Sequence, residues 1–334
     1  MTRDNPSDRW PSSRLHVVTG KGGTGKTTVA AALALALAAD GRRSLLVEVE
    51  GRQGIAQLFD TPPLPYEERR IATAPGGGEV RALAVDVEAA LLDYLEMFYN
   101  LRRAGRALRR VGAIDFATTI APGLRDVLLT GKVKEAVTRT EQGRRVYDAV
   151  VLDAPPTGRI SRFLNVTGEV AGLAKVGPIK TQSDGVMAVL RSPLTAVHVV
   201  TLLEEMPVQE TIDATVELRA SGLPVGAVFV NMTRPPLLPE PELVRAAAGD
   251  VDLSRLAAGL TAAGLDGPGL AAPLALAATE HAERWALEDA NRADIAKLGL
   301  PTYELPFLPD AMDLGGLYEL ADQLREQGIE VPAP

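Results

Sequence analysis

The sequence predicts an α/β fold: a mostly parallel sheet flanked by helices, with a helical subdomain inserted after the third strand. Three observations carry that expectation. Short apolar runs at residues 15–19, 44–49, 80–86, 147–152, 196–203, 225–230 and 301–305 are separated by helical stretches, the pattern of buried parallel strands joined by crossovers. Residues 20–27 fill the template G-x-x-x-x-G-K-[ST], between an apolar run and an alanine-rich helical stretch at 27–39. The run at 147–152 ends in Asp153, as a strand does when its carboxylate serves a phosphate loop next to it.

The glycine-rich stretch is Gly20-Lys21-Gly22-Gly23-Thr24-Gly25-Lys26-Thr27-Thr28. A chain that wraps a triphosphate turns several backbone N–H groups inward, which needs conformations that glycine adopts cheaply, here from Gly20, Gly22, Gly23 and Gly25. The loop runs into a helix N-terminus, whose free N–H groups and positive dipole end face the anion. Lys26 is expected on the β- and γ-phosphates, the Thr27 hydroxyl on Mg²⁺, Thr28 near the α-phosphate, and Asp153 on Mg²⁺ through its water shell. The sheet is therefore expected to be that of a P-loop NTPase.

Composition narrows the partners. The chain has 334 residues, 46% hydrophobic and 23% charged, enough to bury a full core. A net charge of -8 argues against nucleic acid as a partner. The chain contains no cysteine, which excludes disulfides, thiolate zinc sites, cysteine-ligated iron–sulfur clusters and cysteine nucleophiles within it. His16 and His198 sit in apolar runs and His281 in a polar helical stretch, so packing or solvent roles are expected rather than metal ligation. Residues 1–13 are polar and read as a disordered tail without signal-peptide character. The longest apolar run, 29–39, falls short of the ~20 residues that cross a bilayer, so a cytoplasmic protein is expected, peripheral at the inner face of the membrane if it meets one.

In chain order, Asp40-Gly41 stops the first helix, and the second strand ends in Glu48-Val49-Glu50. Residues 51–65, with glycine and three prolines, are expected mainly as loop. Gly76-Gly77-Gly78 reads as a flexible connection into the third strand. From 87 to about 140 the pattern is helical, more than one crossover requires, so an insertion is expected there. Leu91, Leu92, Leu95, Phe98 and Tyr99 share one face of its first helix, which either packs in the core or lines a groove for cargo. Arg102, Arg103, Arg106, Arg109 and Arg110 follow, as a solvated face or as a patch for an acidic partner or anionic lipid. A second, shorter insertion of mixed helix and loop is expected at 163–192. A helix at 208–219 joins the strands at 196–203 and 225–230, and Asn231 follows directly. Residues 243–298 are mostly helical with glycine interruptions, Pro306-Phe307-Leu308-Pro309 is a rigid loop, and 314–327 is a closing helix. On this reading residues 14–328 form one domain.

The motif at 20–28 resembles the deviant Walker A of ATPases that include septum-positioning and plasmid-partitioning proteins, nitrogenase iron protein, and the arsenite-pump and tail-anchored-protein-targeting ATPases. The mark of that group is a lysine at the second position, here Lys21. Residues 153–164, DAPPTGRISRFL, resemble the D-x-A-P-T-G-H-x-x-R-x-L segment of ArsA and Get-type ATPases rather than the D-x-P-P-G of the partitioning proteins. The resemblance spans about 14–327 and implies ATP and Mg²⁺, a dimer with itself or with a paralogous ATPase subunit, and a membrane protein as partner or cargo. It further implies that Asn231, Pro306 and Phe307 flank the adenine, and that Lys21 reaches across the subunit interface to the opposing nucleotide.

Departures from the family pattern fall at informative places. Glu50-Gly51-Arg52-Gln53-Gly54 stands where the family has D-P-A-H-S, which puts Glu50 where an aspartate orients the attacking water. Arg159 replaces the histidine after P-T-G, and the family's cysteines, for arsenite or for shared zinc, are absent. Six methionines make no Met-rich groove for transmembrane cargo. The expectation is thus a Mg²⁺-dependent ATPase acting as a dimeric switch, with Lys21, Lys26, Glu50 and Asp153 as its catalytic residues. The alternative is a nucleotide-binding regulatory subunit with little turnover, paired with an active paralogue. A partitioning-type ATPase is a third reading, and it requires a membrane-binding tail or DNA affinity that residues 330–334 do not suggest.

Overall fold

A computed structural model of the chain describes residues 10, 12–99, 124–165, 178–309 and 312–329. Its centre is an eight-stranded sheet in the order β10-β9-β8-β1-β7-β2-β4-β3. The strands are β1 (Leu15–Gly20), β2 (Arg43–Glu48), β3 (Arg69–Thr73), β4 (Glu79–Ala84), β7 (Ala149–Asp153), β8 (Thr195–Thr201), β9 (Val225–Thr233) and β10 (Thr302–Pro306), with β5 (Thr140–Glu141) and β6 (Arg144–Arg145) forming a separate small hairpin. All pairings in the large sheet are parallel except that of β3 with β4. The mostly parallel α/β sheet is therefore as expected. β1 lies between β7 and β8, with Val18 opposite Asp153 and Gly20 opposite Val200, so the strand ends that carry the motifs share one edge of the sheet.

The helix α1 (Lys26–Ala38) is buried on every side from Val29 to Ala38. Its Ala/Leu composition suits that position, since a helix apolar all round has to be enclosed. It packs between the sheet and the closing helix α11 (Leu314–Glu326). The opposite face of the sheet is covered by α3 (Val87–Tyr99), α4 (Leu124–Thr138), α5 (Thr157–Leu164), α6 (Pro178–Leu190) and α7 (Glu205–Ala220). Two apolar cores result, one on each face.

Four expectations change. The strand at 80–86 is the fourth in sequence, because β3 precedes it as an antiparallel edge; its five residues, three of them exposed, carry too weak an apolar signal to stand out. Gly76-Gly77-Gly78 is a tight turn and not a flexible connection: Gly76 and Gly77 have φ of 74° and 91°, and a Cβ on Gly78 would collide with the Ala38 carbonyl. The stretch 51–65 contains a short helix, α2 (Gly54–Leu58), whose first N–H groups are taken up by the Glu48 carboxylate. Trp10 is 4% exposed and Ser13 is buried, so the polar tail ends before residue 10 at the latest.

Trp10 stacks edge-on against His198 with ring centroids 4.5 Å apart, and His16 and His198 lie within 3.2 Å through Nδ1 and Nε2. Both histidines are fully buried core residues on β1 and β8, in keeping with the packing role expected. Residues 235–300 form α8 (Glu240–Ala247), α9 (Leu253–Ala262) and the long α10 (Gly267–Ala296). Their breaks fall at Gly249 and Gly264, with φ of 71° and 81°, whereas Gly259 and Gly269 lie inside helices. The first insertion is represented by α3 and α4; the arginine cluster at 102–110 lies outside the described residues, as does the middle of the second insertion.

Candidate functional site

The loop between β1 and α1 is shaped by three of its four glycines. Gly23 and Gly25 have φ of 90° and 82°, a left-handed conformation that other residues adopt at a cost. Gly20 sits so close to β8 that a Cβ would run into the Val200 carbonyl, and a Cβ on Gly25 would meet the amide of Asn231. Gly22 makes no such demand, since a Cβ there would point into open space. The Thr24 hydroxyl donates to the Lys21 carbonyl at 2.9 Å, and Asn231 Nδ2 donates to the Thr24 carbonyl at 2.9 Å. Asn231, 4% exposed at the end of β9, thus fixes the loop from the side.

Lys26 opens α1 and curls back over the loop, its Nζ 3.4 Å from the Lys21 carbonyl. Burial lowers its pKa, which the carboxylates of Asp153 and Glu50 oppose. Thr27 follows, and its hydroxyl donates to Asp153 Oδ2 at 2.7 Å. Thr28 is half-buried in the same turn. Asp153 is pushed up to about 6, chiefly by burial; Thr27 and Lys26 pull against that shift, and Glu48 and Glu50 add to it. A hydroxyl and a crowded carboxylate, both hard oxygen donors, suit a cation such as Mg²⁺, which would relieve that charge. No cluster of three or more acidic or histidine side chains suited to a metal occurs among the described residues, so such an ion would draw further ligands from a substrate.

Around this centre the ends of β1, β2 and β7 are tied together. Thr19 Oγ1 donates to the Pro155 carbonyl at 2.7 Å. Glu48, 2% exposed and opposite Asp153 in the register of β2 with β7, accepts from Gln53 N at 2.5 Å and Ile55 N at 3.3 Å. Glu50 lies two residues on and pairs with Arg52 and Arg159 at 3.6 and 3.7 Å. Lys21 pairs within its own chain, 2.8 Å from Glu210 on α7, whose other oxygen accepts from the Thr157 hydroxyl at 3.2 Å.

Pro306 and Phe307 follow Glu304 and Leu305 at the end of β10. Phe307 N donates to the Thr233 carbonyl at 2.8 Å, and the Arg234 guanidinium stands 4.3 Å above the Phe307 ring. Phe307 and Asn231 line a cleft of about 580 Å³, closed on the far side by Glu288 and Asn291 of α10. Every residue expected from the sequence thus lies at the same edge of the sheet. Glu48, Glu210 and the α10 side chains Glu288 and Asn291 were not expected from it. Glu48 left one signal, a carboxylate inside an apolar strand, which a chain buries only with partners. Glu210 and the α10 side chains left none, since both sit on helices far away in sequence.

A phosphate loop on a parallel sheet, with a strand-end aspartate bonded to the loop's threonine, defines the class of P-loop nucleotide hydrolases. Within that class, residues 13–193 match the family model described as anion-transporting ATPase, ArsA type. The chain is 57% identical over 326 residues, 96% of each protein, to the ATPase BagA of Mycobacterium tuberculosis. More remote relatives are the ATPase GET3 of Kluyveromyces lactis, 28% identical over 50% of this chain and 51% of that one, and the arsenical pump-driving ATPase of Escherichia coli, 25% identical over 65% and 39%. The chain belongs to the ArsA-type ATPase family, and it is an ATP hydrolase.

Proposed function

We propose that this chain is a Mg²⁺-dependent, nucleotide-driven switch of an anion-transport or membrane-protein-targeting system, working as a dimer with itself or a paralogous subunit. The observation that carries the reading is the bond from Thr27 to Asp153 beneath the glycine loop, because it joins the two oxygen donors that a Mg·triphosphate requires. In this reading the loop N–H groups of residues 22–27 hold the phosphates, Lys26 neutralises the β- and γ-oxygens, and Thr27 and Asp153 hold the cation. Mg²⁺, when bound, offsets phosphate charge as the bond to the leaving group lengthens. Asn231, Pro306 and Phe307 flank the adenine. Glu50 accepts a hydrogen bond from the attacking water. Lys21 leaves Glu210 and turns to the nucleotide of the opposing subunit, where its charge is complementary to the transition state.

A second reading is favoured by a specific feature. Glu50 has a guanidinium on each side, which competes with water for its oxygens, and that suits a nucleotide-binding regulatory subunit with little turnover of its own. Steady-state ATP hydrolysis by the chain alone, and with its paralogous subunit added, separates the two. Turnover by the chain alone that Glu50→Gln slows at least about tenfold, a rise of ~1.4 kcal/mol in the barrier, supports the switch. Turnover that appears only with the paralogue and ignores Glu50→Gln supports the regulatory subunit.

A further inference from the structure

Glu50 is largely enclosed while its two cations are exposed. Its side chain is 19% exposed, with Oε2 at 3.6 Å from Arg52 Nη2 and Oε1 at 3.7 Å from Arg159 Nη1. Both distances exceed those of direct hydrogen bonds, and the arginine side chains are 75% and 63% exposed. Such pairs are worth no more than about 1 kcal/mol. The arginines arrive from separate segments, Arg52 from the loop after β2 and Arg159 from the first turn of α5, after β7. Glu50 therefore bridges the loop after β2 and the start of α5.

The loop that carries Arg52 is fixed at its base. Glu48 accepts from two of its N–H groups, and the Gln53 side-chain amide both donates to the Leu64 carbonyl at 3.2 Å and accepts from Leu64 N at 2.7 Å. Gly54 lies against Thr27, where a Cβ would stand 3.4 Å from the threonine methyl carbon. A polar cleft of about 190 Å³ is lined by Glu50, Arg52, Arg125, Asp126 and Arg159. Lys26, the residue expected on the terminal phosphates, lies close enough to feel the charges of both Glu50 and Arg52.

We propose that Arg52 and Arg159 sense the terminal phosphate of the substrate by exchanging Glu50 for it. A doubly charged phosphate offers guanidinium groups short, bidentate hydrogen bonds, stronger than the loose pairs they make with Glu50. Once on the phosphate they leave the Glu50 carboxylate free to accept from water; facing a diphosphate they stay where they are. Hydrolytic competence is then conditional on a triphosphate. The inference rests on the ATP reading of the site given above.

Calorimetric titration of the full chain with Mg·ADP and with a non-hydrolysable Mg·ATP analogue tests it without requiring turnover. Arg52→Gln/Arg159→Gln is expected to lower the ratio of analogue to ADP affinity about tenfold with ADP affinity unchanged, and Arg159→Lys to retain part of the ratio. Glu50→Gln is expected to tighten the analogue about threefold and leave ADP alone, because the competitor for the arginines is gone; a merely structural carboxylate would not do this. A ratio that both substitutions leave intact, in folded proteins with wild-type melting temperature, overturns the proposal while the ATP reading stands. Failure of the wild type to bind either nucleotide overturns both.

Discussion

The Thr27 hydroxyl and the Asp153 carboxylate are joined by a bond of 2.7 Å, which makes each the other's support. Removing either the cation ligand or the phosphate charge leaves the other groups of the site in place. Thr27→Ala and Lys26→Ala are each expected to weaken Mg·ATP binding at least about tenfold, or ~1.4 kcal/mol, by calorimetry. Near wild-type affinity in both would remove the nucleotide from this loop. Asp153 adds a pH dependence. Its carboxyl is raised to about 6, so it is charged above that pH and neutral below it, and only the charged form holds a cation. Mg·ATP affinity should therefore fall about fourfold between pH 7.5 and 5.5, the ratio of ionised fractions for a midpoint near 6. Asp153→Asn should bind weakly and lose this dependence; a profile that keeps its shape in the variant would assign the titration elsewhere.

At the scale of elements, the contact between the glycine loop and α7 sets a prediction about association. Lys21 and Glu210 have side chains 31% and 37% exposed and a separation of 2.8 Å, a surface pair worth up to about 1 kcal/mol. If Lys21 acts across a dimer interface, this pair opposes dimerisation by that amount. Glu210→Gln should then strengthen ATP-analogue-dependent association about threefold to fivefold, and Lys21→Ala should abolish it with single-chain nucleotide affinity retained. Light scattering with this chain, and with its paralogue, reads both. Equal association in wild type and Lys21→Ala would take the lysine out of the interface. The partner of Lys21 was not legible in the chain, because α7 lies nearly two hundred residues away and Glu210 looks like any solvated helix carboxylate. The partner of Thr27 was legible, because a strand that ends in aspartate beside a phosphate loop has few other uses.

Across the whole molecule, the sheet is pinned by a polar pair in its apolar centre. His16 Nε2 lies 3.0 Å from the Ser13 carbonyl and so carries the proton, which leaves its Nδ1 to accept from His198 Nε2. Both rings are then neutral, with His198 Nδ1 buried and unprotonated. Burial lowers His16 to about 4 and His198 well below its ordinary value. The unfolded chain takes up protons on these rings near pH 6.5 and the folded chain does not, so stability is full above pH 6.5 and declines as the pH falls. For His16 the loss amounts to a few kcal/mol by pH 4, where the folded ring also titrates. Urea unfolding at pH 7.5, 6 and 5 should show this decline, and His16→Gln should flatten it. An unchanged slope in the variant would assign the acid sensitivity to other groups.

Local chemistry wrote the parts of this protein that obey local rules. Glycines at 23 and 25 are needed wherever a loop turns left-handed, the Lys26-Thr27 pair and Asp153 follow from what a Mg·phosphate requires, and the apolar runs mark strands buried on both faces. Each of those features is written within a short window of sequence, and the ArsA-type relationship was read from two such windows, the loop with Lys21 and residues 153–164. Tertiary structure alone decided the rest: that β3 adds an antiparallel edge, that Glu48 holds the loop after β2, that Lys21 meets Glu210, and that Arg52 and Arg159 close on Glu50 from separate segments. The reason is that an exposed charge has the same local signature whether it faces water or a partner. Only the order of the strands fixes which side chains a parallel sheet gathers at its edge.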